Sequence, residues 1–201
     1  MFRSALSLSL ALAFALGAPA CYTGGAHDVS AEQAGETARD PAWQTVPDVP
    51  FVAQKTDRDC GLAALAMVLG HFGLTATLEE VAVRDTGGAG VRAGTLRDVA
   101  RRMGLEAFVV SGTFDDLYDQ VERGRPVLVG LAKPVVGGRA IAHYEVVVGI
   151  NRRGRLIRSL DPGRGLRDNT FEGFASEWVP TRQVTIVVYP PASRPVPHSV
   201  I

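Results

Sequence analysis

Cysteine and histidine are scarce in this chain, and charge of either sign has no excess. There are two cysteines, four histidines, and 21 basic against 21 acidic residues over 201 positions. His27, His71, His143 and His198 form no cluster with cysteines and carboxylates at ligand spacing, so no zinc site is expected. Charge balance argues against a nucleic-acid-binding surface, which would show a basic stripe. The arginines that do group, Arg101 and Arg102 and then Arg152, Arg153, Arg155 and Arg158, read as a solvated face and a charged turn. The Gly87–Gly90 loop lacks the Gly-Lys-Ser/Thr sequel of a phosphate loop. No cofactor is therefore expected. Long apolar runs are missing too: the best, Ala5 to Leu16, falls short of the roughly 20 residues a membrane-spanning helix requires.

That run has another use. It follows Arg3 and precedes the small residues Ala18-Pro19-Ala20, the order of a secretory signal over residues 1–20. Two outcomes stay open at its end. Ordinary cleavage after Ala20 would release a soluble periplasmic or secreted protein. Alternatively, Cys21 resembles the lipidated cysteine of a bacterial lipoprotein box, from which Ala18 and Pro19 depart; a lipid there would hold the chain on the cell envelope. A Cys21–Cys60 disulfide is disfavoured, because Cys21 adjoins the processing site. Residues 21–45 lack an apolar period and read as a disordered tether. Residues 191–201 read as a proline-punctuated tail. The folded unit is expected over 46–190.

Within it, Val49 to Gln54 is an extended entry segment. Asp59 is placed to cap a helix carrying Leu62, Leu65, Ala66, Leu69 and Phe72, stopped at Gly73. A second helix is expected over Thr77 to Val83, and a third over Leu96 to Met103 with Thr95 as cap. Strands are expected at Glu106 to Val110, Val127 to Leu131, Tyr144 to Ile150, Arg155 to Leu160 and Thr185 to Val188. A short helix, Phe114 to Glu122, separates the first two strands. Helices first and strands after is an α+β order.

Cys60 opens the first helix. Free N–H groups and the helix dipole stabilise a thiolate there, although an isolated helical cysteine serves equally well as a buried apolar residue. His143 shifts the balance, since it starts an apolar strand whose partner ends at Asp161. A turn at Asn151–Gly154 would set His143 opposite Asp161 or Pro162, close enough for the carboxylate to hold the imidazole. His71, at a helix end, reads as a local structural histidine, and His27 and His198 fall in the tails. Gln54, six residues before Cys60, is either a solvent-exposed amide or a donor to an oxyanion.

Gln54-x5-Cys60, Asp59-Cys60-Gly61-Leu62-Ala63-Ala64, Gly94-Thr95-Leu96, Gly104-Leu105, Ala142-His143-Tyr144 and Leu160-Asp161-Pro162, in this order, resemble the bacteriocin-processing double-glycine peptidases. The resemblance implies a papain-like fold, with an N-terminal helical part packed on a C-terminal antiparallel sheet. It also implies Cys60 as nucleophile, His143 as base, Asp161 as orienting acid and Gln54 as oxyanion donor. A peptide or protein is the implied substrate, and a stand-alone, exported member of the family the implied context. Two other readings remain: a related acyl transferase or deamidase, and an inactive peptide-binding module of the same fold. Neither the substrate nor the oligomeric state is legible.

Overall fold

The computed structural model describes residues 24–37, 39–74 and 90–192. Cys21, the signal over 1–20, the helix expected at Thr77–Val83, most of the Gly87–Gly90 loop, and His198 with the end of the tail lie outside them. The described elements are β1 (His27–Asp28), α1 (Ala31–Thr37), β2 (Gln44–Thr45), α2 (Cys60–His71), α3 (Ala93–Arg102), β3 (Glu106–Ser111), α4 (Phe114–Glu122), β4 (Val127–Pro134), β5 (Ala140–Asn151), β6 (Leu156–Asp161), β7 (Gly165–Thr170), α5 (Phe171–Trp178) and β8 (Val184–Tyr189). The strands pair antiparallel in the order β1-β7-β6-β5-β4-β8-β3, with β2 added to the end of β5. The α+β expectation is met.

Helices cover both faces of this sheet, and each face has its own core. On one, Leu65, Met67 and Leu69 of α2 and Leu96 and Val99 of α3 pack with Leu128, Val146 and Ile186. On the other, Leu117 and Val121 of α4 and Phe174 and Trp178 of α5 pack with Val129, Val147 and Ile157. Alternation along β5 sends Val146 to the first core and Val147 to the second. With apolar partners above and below, Val146 to Ile150 needs no polar face.

Several expectations change in detail. Residues 24–45 are not a bare tether: β1 pairs with β7, β2 pairs with β5, and α1 lies between them. Pairing with an existing sheet edge supplies what the segment's low apolar content does not. Strand β7 was not legible, because it buries Arg167, Asp168 and Asn169 in place of apolar residues, and helix α5 after it, with Phe171, Phe174 and Trp178 on its buried face, was not expected. The third helix begins at Ala93, two residues ahead of the expected cap Thr95, and has no side-chain cap. Thr113 caps α4 in a full capping box with Asp116. Arg158 is no solvated turn residue. It is buried, stacks over Trp43 and pairs through two nitrogens with Asp168, each at 2.7 Å.

Candidate active site

Cys60 is the first residue of α2, a buried free thiol. Asp59 precedes it at φ −92° and ψ 0°, without the extended backbone of a capping residue, and makes no side-chain cap. Its carboxylate turns back to accept a hydrogen bond from the Thr56 N–H at 3.0 Å. No anionic cap therefore competes for the first-turn N–H groups, and the positive end of the helix is left to the sulfur.

Gly61 is a site of close packing. A Cβ there would collide with Val91 and lie 3.0 Å from the Tyr144 ring. Glycine thus lets the first turn of α2 rest against β5, one residue from His143. The same contact places Tyr144 near Cys60. Burial first, and then the charge of the neighbouring sulfur, push its phenol up to about 12.

His143 lies near the start of β5 and is 4% exposed. Its Nε2 is 3.0 Å from Asp161 Oδ1 at the end of β6, and Asp161 is fully buried. The imidazole also hydrogen-bonds Cys60, which leaves Nδ1 as the nitrogen facing the sulfur. Sequence reasoning joined these side chains correctly, but through a register that the structure corrects. Arg155 adopts φ 53° and belongs to the turn, so the hairpin closes with Asn151 paired to Leu156. A bulge at Val148 then moves the ladder by one, and its last pair is Val146 with Leu160. Continued, that pairing sets Glu145 beside Asp161 and makes His143 the diagonal neighbour on the same face, a separation the two side chains bridge.

Burial alone would lower the His143 pKa. Hydrogen bonds to Asp161 and Cys60, together with the negative charges of Glu145 and Asp161, outweigh it and raise the value to about 9. The imidazole is accordingly a cation at neutral pH, suited to standing beside a thiolate.

The charges that surround it form a buried network that sequence reasoning missed. Lys133 of β4 reaches Glu145 Oε1 at 2.5 Å and Glu177 Oε2 of α5 at 2.6 Å. Ser159 donates to Glu145 Oε2 at 2.5 Å. Burial opposes the charge on Lys133, but the two carboxylates prevail and hold its pKa above the ordinary lysine value. Burial raises the Glu177 pKa in spite of that lysine. The one available signal was a Lys and a Glu inside otherwise apolar strands. Donor atoms of His143, Glu145 and Asp161 lie within 4.8 Å of one another, a spacing that a metal ion would accept. Those donors are already engaged by Lys133, Ser159, Gly163 and each other.

Gln54 donates its backbone N–H to the Pro162 carbonyl at 3.0 Å, so the entry segment runs along the turn after β6. Its side chain lies beside Gly163, where an added Cβ would be 3.5 Å from the amide carbon and 3.4 Å from Asp161 Oδ1. Gln54 and Asp161 thus flank one turn. A cleft of about 430 Å³ opens there, lined by Phe51, Gln54, Lys55, Pro162, Gly163 and Arg164. Cys60 is not among its lining residues. His71 is structural: its Nε2 is 2.9 Å from the Gly124 carbonyl oxygen. His27 sits in β1, paired with Asp168.

The sequence profile described as the Peptidase C39 family matches residues 48–193. A similar curated protein is the pediocin PA-1 transport/processing ATP-binding protein PedD of Pediococcus acidilactici. It is 29% identical over 153 residues, covering 74% of this chain and 20% of that protein, so this chain spans about a fifth of the relative's length. Among solved structures, the peptidase domain of Streptococcus ComA, a bi-functional ABC transporter, superimposes with a TM-score of 0.57 at 25% identity. The match covers 71% of this chain and 99% of that one. A double glycine motif protease from an AMS/PCAT transporter, solved in complex with the leader peptide, has the same fold: TM-score 0.57, 22% identity, 74% and 96% covered.

Proposed function

Because the chain belongs to the Peptidase C39 family and is a cysteine peptidase, we propose that it cleaves peptide bonds through a thioester on Cys60. His143 acts as its base and acid, and Asp161 as the group that holds the imidazole. One observation carries this reading: a buried run of hydrogen bonds from Cys60 through His143 to Asp161, at the N-terminus of α2.

The chemistry follows from that order. The Cys60 sulfur attacks the scissile carbonyl carbon, and the imidazolium of His143 delivers its proton to the departing amine as the C–N bond breaks. Neutral His143 then takes a proton from water, whose oxygen attacks the thioester and frees the acid and the sulfur. Asp161 accepts from Nε2 throughout, fixing the tautomer and supporting the cation. Gln54 is assigned to the oxyanion; its support is a place on the segment that leads into α2 and along the cleft.

For substrate, the proposal is a peptide with small residues before the cut, of the kind that the names of the similar proteins indicate. The cleft beside Gln54 has glycine at positions 163 and 165 in its wall, which leaves backbone accessible to an extended peptide. Water is the proposed acyl acceptor. Mass analysis of a reaction quenched in acid tests the central step, since a substrate-derived acyl group must appear on Cys60. If an added amine is incorporated in preference to water, the transferase reading replaces hydrolysis.

Export is part of the same proposal and rests on residues 1–21. A lipid on Cys21 is expected to raise the mass of the envelope-extracted protein above that of the polypeptide beginning at Cys21. The bare polypeptide mass would refute it.

A further inference from the structure

Asp161 has two carboxylate oxygens, and the triad accounts for one. Oδ1 accepts from His143 and from the Gly163 N–H at 2.8 Å. Oδ2 faces the guanidinium of Arg167 on β7, with Nη1 at 3.8 Å. Arg167 is itself buried. Burial leaves its Nε and Nη1 without a hydrogen-bond partner among the described residues, so the cation is held chiefly by charge.

What covers it is the N-terminal segment. Asp28 pairs with Arg167 across the β1–β7 ladder and brings Oδ1 to 3.2 Å from Nε. Arg167 Nη2 donates to the Ala26 carbonyl. Val29 N–H donates to the Leu166 carbonyl at 3.0 Å, closing the strand pair. Just before it, Gly24 and Gly25 run over Glu177 and Asn169, so closely that a Cβ on Gly24 would collide with the Glu177 carboxylate. This strap lies outside residues 48–193, the part matched by the family profile.

We propose that Arg167 is a positioning residue for Asp161, and that the strap Gly24–Asp28 holds its guanidinium in place. Rotation about the Asp161 Cβ–Cγ bond would swing Oδ1 away from both His143 and the Gly163 N–H. A fixed cation behind the second oxygen removes that freedom and keeps Oδ1 aimed at His143. The inference rests on the triad proposed above. Charged and titratable groups around His143 are Asp161 on β6, Glu145 on β5, Lys133 on β4, Glu177 on α5, Arg167 on β7, and Cys60 with Tyr144 across it.

The test reads the pH profile of Cys60 alkylation by iodoacetamide in the full-length protein, followed on the Cys60-containing peptide. Arg167→Met removes a positive charge from the neighbourhood of the sulfur–imidazolium pair. Loss of that charge alone would raise the His143 limb, whereas an Asp161 no longer held toward Nε2 gives up the hydrogen bond that raises it, so the limb near pH 9 is expected to move down by about half a pH unit. The maximal rate is expected to fall roughly tenfold, less than the roughly 10²–10⁴-fold that outright loss of an acid–base group costs. Arg167→Lys, which restores the charge, is expected to bring the limb back. Asp28→Asn, which removes the strap's ion pair to Arg167, should move it in the same direction by less. A limb that stays in place or moves up in Arg167→Met overturns the proposal, whatever happens to rate or melting temperature. Should that variant fail to fold, the limb of Asp28→Asn decides in the same way. Wild-type protein whose Cys60 reacts no faster than a model thiol would refute the triad reading instead.

Discussion

Replacing His143 with alanine is expected to lower kcat/KM for peptide cleavage about a thousandfold, within the range for loss of a positioned acid–base group. The same substitution should erase the basic limb of the pH profile. In the wild-type protein that limb is expected near pH 9, where the imidazolium held by Asp161 and Cys60 loses its proton. Stability should follow the same group. Its pKa is raised from 6.5 to about 9 on folding, so the stabilisation is fully present below pH 6.5 and lost as pH rises through 9. Two to three pKa units correspond to about 3 kcal/mol. Urea unfolding at pH 6.5 and pH 9 measures it: wild-type protein should weaken across that interval, and His143→Ala should weaken less. Equal slopes for the two proteins would mean that His143 is not the titrating group.

Lys133→Met is expected to have the largest effect on stability. The lysine is 1% exposed and lies between two buried carboxylates. Removing it leaves Glu145 and Glu177 facing one another without a counter-charge, a loss of about 3–5 kcal/mol for a buried network of this kind. In a domain of this size that is a fall of roughly 10 °C in melting temperature. Lys133→Met combined with Glu177→Gln should recover part of the loss, because only one uncompensated carboxylate then remains. A single substitution costing under about 1 kcal/mol by urea unfolding would show that the network is solvated and not under charge strain.

How much of this was legible in the sequence depended on how the signal was carried. α2 and the strands β3 to β6 and β8 announce themselves through apolar periodicity, and the resemblance ordered Cys60, His143 and Asp161. Their meeting was reached through a register displaced by two residues where Asp161 is set opposite His143, and by one where Pro162 is. The cause is Arg155: a non-glycine residue at φ 53° extends the turn, and nothing in its chemistry advertises that conformation. The bulge at Val148 is equally silent, one valine among several. β7 was hidden for the opposite reason. Its buried side chains are polar, so Gly165–Thr170 reads as a loop, although Asp168 pairs with Arg158 of β6 and Arg167 lies between Asp161 and, on the N-terminal segment, Asp28. Lys133 and Glu145 stood in plain view as charges within apolar strands. Only the fold shows that Lys133 meets Glu145 and, from a helix 44 residues on, Glu177.

The central claim is that Cys60, activated by His143 and Asp161, carries the acyl group. Its most direct test is intact-protein and peptide mass analysis of a reaction with a peptide substrate, quenched in acid within the first turnovers. The expected result is a thioester on Cys60 that adds the mass of the N-terminal product less one water, absent in Cys60→Ala and accumulating when water is limiting. Peptide cleaved at the wild-type rate by Cys60→Ala, with no adduct on the wild-type sulfur, would contradict the account.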